Sequence, residues 1–81
     1  MDVRLYGRLG DLLGKQVQLD PPPGGCSIAE LRVELARYFP QAEAQFMSPG
    51  VRAIVGDTVV NEDRHVSVAD TVEFFPPVSG G

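Results

Sequence analysis

Short stretches in which apolar and polar side chains alternate predict five β-strands. Val3 and Leu5 alternate with polar neighbours near the start of the chain, which is the period of a half-buried strand. The same period returns in residues 15–20, and these two strands are predicted to form a hairpin. Gly56 and Asp57 fit a tight hairpin turn, whose first position needs glycine. Further strands are predicted at residues 52–55, 58–60 and 71–75.

An amphipathic helix is predicted between the second and third strands. Ser27 and Glu30 have the spacing of a capping box, in which each side chain satisfies a backbone amide of the other residue. Apolar residues then recur at helical spacing, whereas charged residues such as Arg32 occupy other faces. The apolar positions are Ile28, Leu31, Leu35 and Tyr38. Pro40 is expected to end the helix because it cannot donate a backbone hydrogen bond.

The remaining segments are predicted to be turns and loops. Residues 8–13 are short enough to be a single helical turn. The three prolines and two glycines of residues 21–25 exclude regular structure. Residues 41–50 have only a weak helical signal before Pro49-Gly50, so we expect a short turn and an irregular crossing there. Residues 61–70 are expected to be mostly loop.

This order of elements predicts an α+β fold of the β-grasp type. One main helix would cover one face of a mixed sheet of about five strands. If the first and last strands pair in the middle of the sheet, the chain leaves from a well-anchored strand. The expected division is a β-grasp domain at residues 1–75 and an extended tail at residues 76–81.

Strand parity predicts an apolar surface at the root of this tail. Tyr6 and Phe75 would lie on the sheet face opposite the helix, close together if their strands are neighbours. Val59 of the hairpin would extend the patch, and we interpret it as a docking surface rather than as scattered surface hydrophobics. The residues predicted to face the helix are Val3, Leu5, Val72 and Phe74, together with Ile28, Leu31 and Leu35.

Composition and charge exclude several classes of function. The 81 residues allow one domain, and 43% are hydrophobic, as in ordinary globular proteins. Seven dispersed basic residues against eleven acidic ones give a net charge of −4, so neither nucleic acid nor a membrane is an expected partner. Cys26 has no cysteine partner, and no signal segment or membrane span is predicted, so we expect a cytoplasmic protein.

The sequence ends in "FFPPVSGG", which predicts a projecting tail. Pro76 and Pro77 cannot continue a strand ladder and favour an extended exit. Ser79, Gly80 and Gly81 follow, and the glycines lack a Cβ, so this segment can thread a narrow passage and present a terminal carboxylate. A carboxylate with a pKa of about 3.5 is ionised and a poor electrophile, so it must be activated. Adenylation by ATP would allow sulfur to displace AMP and give a thiocarboxylate.

With this tail, the chain resembles the MoaD family. Members of that family are the small sulfur-carrier subunits of molybdopterin synthase and belong to the ubiquitin-like ThiS/MoaD superfamily. The resemblance runs through "VRLYGRLGDLLG", the helix from Ile28, "AIVGDTVV" and above all "VEFFPPVSGG". It implies that Gly81 is adenylated and thiolated by an E1-like (MoeB-like) enzyme with ATP and a sulfur donor system. It also implies insertion of the tail into a MoaE-like large subunit of a heterotetramer, where two such sulfurs form the dithiolene of molybdopterin.

Other functions remain open at this stage. A carrier for thiamine or tRNA thiolation, or a protein modifier, would use the same adenylated terminus, and a noncovalent β-grasp interaction module is an alternative of another class. Other candidate sites have stronger structural explanations: an anion loop at Gly24-Gly25, a ligand or base at His65, and a reactive thiol at Cys26. The carboxylates Asp57, Glu62 and Asp63 are expected to be solvated, so no metal or bound cofactor is predicted. The catalytic machinery is expected to belong to partners.

Overall fold

The structure is a computed structural model, and it describes residues 1–77. Within this range five strands form one mixed sheet and two very short strands form a second sheet. In chain order the strands are β1 (Asp2–Leu5), β2 (Gln16–Gln18), β3 (Cys26–Ser27), β4 (Arg52–Val55), β5 (Thr58–Val60), β6 (His65–Val66) and β7 (Thr71–Phe75). The helices are α1 (Arg8–Leu13), α2 (Ile28–Tyr38) and α3 (Glu43–Phe46), with a 3-10 helix at Pro40–Ala42.

The main sheet has the strand order β2-β1-β7-β4-β5. Its centre is the parallel pair β1 and β7, in which Leu5 lies opposite Phe74. The hairpins β1/β2 and β4/β5 are antiparallel, and β4 pairs with β7 in antiparallel fashion, with Arg52 opposite Phe75. This is the predicted β-grasp arrangement, so the expected fold class is confirmed.

The hydrophobic core lies between the sheet and α2. Every residue predicted to face the helix is buried: Val3, Leu5, Val72 and Phe74 from the sheet, and Ile28, Leu31 and Leu35 from α2. The predicted capping box starts α2: Ser27 Oγ accepts from the Glu30 amide at 3.1 Å, and the Glu30 carboxylate accepts from the Ser27 amide at 2.8 Å. Tyr38 was expected on the apolar face, but it lies in the last turn and is 63% exposed.

Residues 41–50 differ from the predicted irregular crossing. A 3-10 turn and α3 occupy this segment as far as Phe46, and they bring Ala42 and Phe46 into the core with no exposed surface. The Phe46 ring contacts the Phe74 ring edge to face, with centroids 5.7 Å apart and planes at 80°. The prediction was wrong here because a helix of four residues is too short to show a helical period in the sequence.

Two further loops are more ordered than expected. Residues 8–13 were expected to be a single turn, but they form a six-residue helix, α1. This helix buries Leu9. In residues 61–70, expected to be mostly loop, β6 pairs with β3 and places Cys26 opposite Val66. The hairpin turn at Gly56 and Asp57 has positive φ at both residues, 57° and 65°, and not only at the glycine. Such a turn matches the right-handed twist of its strands.

Candidate functional site

The root of the tail is the end of the central strand. β7 is hydrogen-bonded on both sides, to β1 and to β4, and it runs directly into Pro76 and Pro77. The Tyr6 amide donates to the Phe74 carbonyl oxygen at 3.2 Å, which extends the β1/β7 pairing to the last residues of the strand. The tail therefore leaves from a rigid base, as the sequence predicts.

Tyr6 and Phe75 form an aromatic stack beside this exit. Their ring centroids are 4.2 Å apart and their planes differ by 10°. Tyr6 is 37% exposed, and Phe75 is partly buried on the same face of the sheet, opposite the core. The Tyr6 hydroxyl donates to Glu73 Oε2 at 2.7 Å, and this hydrogen bond raises the pKa of Tyr6 above its ordinary value. The stack is thus a partly exposed apolar surface that is held in one orientation.

Val59, the third predicted patch residue, lies farther along the sheet. It is 54% exposed on the edge strand β5, opposite Ile54. Ile54 in turn lies opposite Glu73, which places β4 between Val59 and the aromatic stack. The intermediate residue is the half-buried Ile54, which sequence reasoning missed although its position in β4 has the parity of the outer face. Phe75 and Tyr6 thus lie in one cross-strand row, which continues to Arg52, whereas Ile54 and Val59 lie in the next row beside Glu73.

The tail residues are described in part. Pro76 and Pro77 are exposed, and they border a cleft of about 310 Å³ between α1 and α3. The other residues along this cleft are Tyr6, Arg8, Leu9, Ala44, Gln45, Ser48 and Val51. Ser79, Gly80 and Gly81 lie outside the described residues, so their predicted roles stay predictions.

Arg32 holds the segment between α3 and β4, a role that was not predicted from the sequence. It was assigned to an outer helix face, yet it is 6% exposed, the one buried charged residue in the range 1–77. Its guanidinium donates to the carbonyl oxygens of Phe46 at 2.7 Å, Ser48 at 3.3 Å and Val51. Its Nη2 also donates to Glu62 Oε2 at 3.1 Å, and its Nε lies 2.9 Å from Glu62 Oε1 in an ion contact without hydrogen-bond geometry. These contacts tie the chain between α3 and β4 to α2.

His65 and Cys26, the other candidate side chains, have contacts that indicate structural roles. His65 Nε2 lies 2.6 Å from the Gly24 carbonyl oxygen and so links β6 to the proline-rich loop. Burial, with the negative charge of Glu30, raises the pKa of the Cys26 thiol, which lowers its reactivity. Over residues 1–77, no three His, Cys, Asp or Glu side chains come together as a metal site would require. No helix in the same range is long and apolar enough to cross a membrane.

Comparison with solved structures supports the fold. SAMP1 from Haloferax volcanii superimposes with a TM-score of 0.75 at 19% sequence identity, over 99% of this chain and 97% of that chain. A Pyrococcus furiosus protein provisionally assigned as molybdopterin converting factor, subunit 1, gives a TM-score of 0.70 at 21% identity, over 95% of each chain. Among proteins with curated functions, none matches the sequence significantly. These similarities define the chain as a β-grasp protein.

The family follows from the sequence profile. Residues 3–81 match the profile of the ThiS family, which is nearly the whole chain. The chain therefore belongs to the ThiS family of ubiquitin-like sulfur carriers. Sulfur carriers of this kind generally act with E1-like activating enzymes.

Proposed function

We propose that this chain is the sulfur carrier of molybdenum cofactor biosynthesis, the small subunit of a molybdopterin synthase. The observation that carries the proposal is the tail root: in a chain of the ThiS family, the central strand β7 runs into Pro76-Pro77 beside the exposed stack of Tyr6 and Phe75. The similarity to the Pyrococcus furiosus protein favours the molybdopterin branch of the family.

The proposed chemistry takes place at Gly81. Its carboxylate oxygen attacks the α-phosphorus of ATP, pyrophosphate leaves, and an acyl adenylate forms. Hydrosulfide from a donor system then attacks the acyl carbon, the C–O bond to AMP breaks, the sulfur loses its proton, and a thiocarboxylate remains on the carrier. An E1-like (MoeB-like) enzyme supplies the groups that catalyse these steps. The carrier supplies a carboxylate on a segment without Cβ atoms at Gly80 and Gly81, which fits a narrow active-site passage.

The second step of the proposal is transfer in a heterotetramer with a MoaE-like large subunit. The tail would enter the large subunit while the aromatic stack docks on its surface. Large aromatic residues are frequent anchors of interfaces because they bury much area at low entropic cost. Two thiocarboxylates acting in turn would supply the two sulfur atoms of the dithiolene.

A second candidate function is protein modification. The similarity to SAMP1, also described as small archaeal modifier protein 1, favours it. In that case a lysine amine of a target protein would attack the activated Gly81 carbonyl carbon and form an isopeptide bond, with loss of the activating group. Thiolation of thiamine precursors or tRNA would begin from the same thiocarboxylate.

Intact-mass spectrometry separates these functions. The chain is incubated with an E1-like enzyme, ATP and a sulfur source. A carrier gains the mass difference between sulfur and oxygen at its C-terminus, and omission of ATP is the control. If the mass is unchanged under all conditions, the carrier proposal is wrong and a noncovalent module is favoured. Conversion of precursor to molybdopterin with the large subunit then supports the synthase role, whereas adducts on other proteins support the modifier role.

A further inference from the structure

Two glycines lie directly against the two prolines at the root of the tail. A Cβ atom built on Gly7 would lie 2.8 Å from Pro76 Cγ and 2.9 Å from Pro76 Cβ. A Cβ atom built on Gly50 would lie 2.9 Å from Pro77 Cβ. Carbon atoms in favourable contact are about 3.5–4.0 Å apart, so neither position has room for a side chain. Gly7 and Gly50 together are called the proline seat below.

The proline seat is placed symmetrically about the tail. Gly7 follows β1 and Gly50 precedes β4, and these are the two strands that flank β7. Each proline therefore lies against a glycine next to a different neighbouring strand. Strand pairing cannot hold the chain just after β7, because proline has no amide donor. The proline seat holds it there instead.

The two glycines are required for different reasons. Gly7 has φ 63° and ψ −136°, a conformation that residues with a Cβ rarely adopt, so its backbone alone favours glycine. Gly50 is not among the glycines with positive φ, so alanine could adopt its backbone conformation. At Gly50 the close approach of Pro77 is what excludes a side chain.

The segment that carries Gly50 cannot easily move away from Pro77. Arg32 binds the carbonyl oxygens of Ser48 and Val51 on either side of it, and the Gly50 amide donates to Ser48 Oγ at 3.3 Å. A methyl group at position 50 would therefore displace the proline rather than the loop. Relief of the 2.9 Å contact requires a shift of about 0.5–1 Å.

We propose that the proline seat sets the direction in which the tail leaves the sheet, and that Gly7 and Gly50 are positioning residues for the reaction at Gly81. This inference rests on the proposed carrier function. Inside a partner that is docked on the sheet surface, the Gly81 carboxylate oxygen must meet the α-phosphorus of ATP, and the acyl carbon must then meet a sulfur nucleophile. The tail therefore has to start along one path. A misplacement of about 1 Å from a distant change can lower a rate by about 100-fold.

The test is Gly50→Ala in two backgrounds, the native chain and Pro77→Gly. In the native chain we expect kcat/KM for adenylation by the E1-like enzyme to fall about tenfold or more, because the methyl group displaces Pro77. In the Pro77→Gly background, which lacks the Cβ that the methyl group meets, we expect Gly50→Ala to have an effect within about twofold. Both rates are taken per folded molecule, which removes any loss due to stability alone. An equal loss in both backgrounds, or no loss in either, would overturn the proposal, since the effect would then not come from the contact with Pro77.

Gly14→Ala is the matched control for Gly7→Ala. Gly14 also has a conformation that favours glycine, with φ 94° and ψ 171°, but no atom lies within 4 Å of a Cβ built there. Both variants should lose stability, and only Gly7→Ala should lose adenylation rate per folded molecule. Equal loss of that rate in both variants would contradict a seat at Gly7.

An NMR measurement on the free chain distinguishes failure of the seat from failure of the carrier function. If the native chain is not adenylated at all, the proposed function fails, and the seat is tested by contacts alone. We expect nuclear Overhauser effects between Gly50 Hα and Pro77 Hβ, and we expect Gly50→Ala to weaken the contacts between Pro77 and residue 50. Their absence in the native chain would overturn the proposal regardless of activity.

Discussion

The rings of Tyr6 and Phe75 stack with their centroids 4.2 Å apart, across the two parallel strands at the centre of the sheet. The Tyr6 hydroxyl is held by Glu73, so this ring has a fixed orientation before any partner binds. An interface residue that is already ordered loses less conformational entropy on association. The stack is therefore well suited to anchor a partner that receives the tail.

Phe75→Ala is expected to weaken docking without unfolding the protein. Truncation of an aromatic anchor costs about 2 kcal/mol or more, which is tenfold or more in affinity for the large synthase subunit and for the activating enzyme. Isothermal titration calorimetry with each partner measures this loss, and thermal melts should show little change. Tyr38→Ala is the control, because Tyr38 is 63% exposed in the last turn of α2, outside the tail root. Equal weakening by both variants would contradict an anchor at Phe75.

Phe74→Ala is expected to have the opposite profile. Phe74 has no exposed surface, and its ring contacts both Phe46 and the guanidinium carbon of Arg32, which lies 5.4 Å from the ring centroid. Truncation of a buried phenylalanine costs about 3–5 kcal/mol of the free energy of unfolding. Urea denaturation of Phe74→Ala and Phe75→Ala side by side measures the difference. If Phe75→Ala were the less stable variant, the face assignment of β7 would be wrong.

Much of this fold was predictable because its signals are local. Alternation in β7 assigns Phe74 to the core and Phe75 to the outer face, and the spacing of Ser27 and Glu30 marks the start of α2. The proximity of Tyr6 and Phe75 required one further assumption, that the first and last strands are neighbours. Parallel pairing of β1 and β7 meets that assumption.

The features that sequence reasoning missed depend on contacts between distant segments. Arg32 has the charge of a solvated helix residue, and its burial is possible only because the chain after α3 turns its carbonyl oxygens toward it. In the sequence, Gly50 is part of a Pro-Gly pair that indicates only a turn. Its close approach to Pro77 results from the pairing of β4 with β7, which the sequence does not show. Phe46 lies in a helix that is too short to show periodicity.

The titration of Tyr6 should depend on Glu73. The hydrogen bond to Glu73 raises the pKa of Tyr6, so the bond is intact at neutral pH and is lost as pH rises through that raised pKa. Glu73→Gln should lower the pKa of Tyr6, because it removes both the charged acceptor and the negative charge. Ultraviolet titration in a Tyr38→Phe background, where Tyr6 is the one tyrosine left in the sequence, measures the shift. An unchanged pKa would mean that this hydrogen bond does not form in solution.

Changes at the end of the tail should abolish sulfur transfer but leave the fold intact. Deletion of Gly81, or extension of the chain beyond it, removes the carboxylate from the position at which it is adenylated. Replacement of Gly80 by a bulky residue should hinder threading more than folding. Intact-mass spectrometry detects the thiocarboxylate, and circular dichroism with thermal melts monitors the fold. Full thiocarboxylate formation in a chain without Gly81 would end the carrier hypothesis.

Arg32→Met should destabilise the protein strongly. Methionine replaces the apolar stem of arginine but lacks the guanidinium group. The buried carbonyl oxygens of Phe46 and Val51 therefore lose their donor, and Glu62 loses its counter-ion. Each buried carbonyl oxygen that loses its donor costs about 1–3 kcal/mol of the free energy of unfolding. The loss of the Glu62 contact adds little, because the Glu62 side chain is 55% exposed. Urea denaturation measures this loss.

Arg37→Met is the matched control, because Arg37 is on the same helix and its side chain is 74% exposed in a surface ion pair with Glu34. Such pairs contribute about 0–1 kcal/mol, so its free energy of unfolding should change little. Arg32→Lys should fall between the two, because it keeps the charge while one ammonium group cannot reach all of the acceptors that the forked guanidinium reaches. If Arg32→Met and Arg37→Met unfolded at the same urea concentration, the network around Arg32 would not hold the chain between α3 and β4 in place.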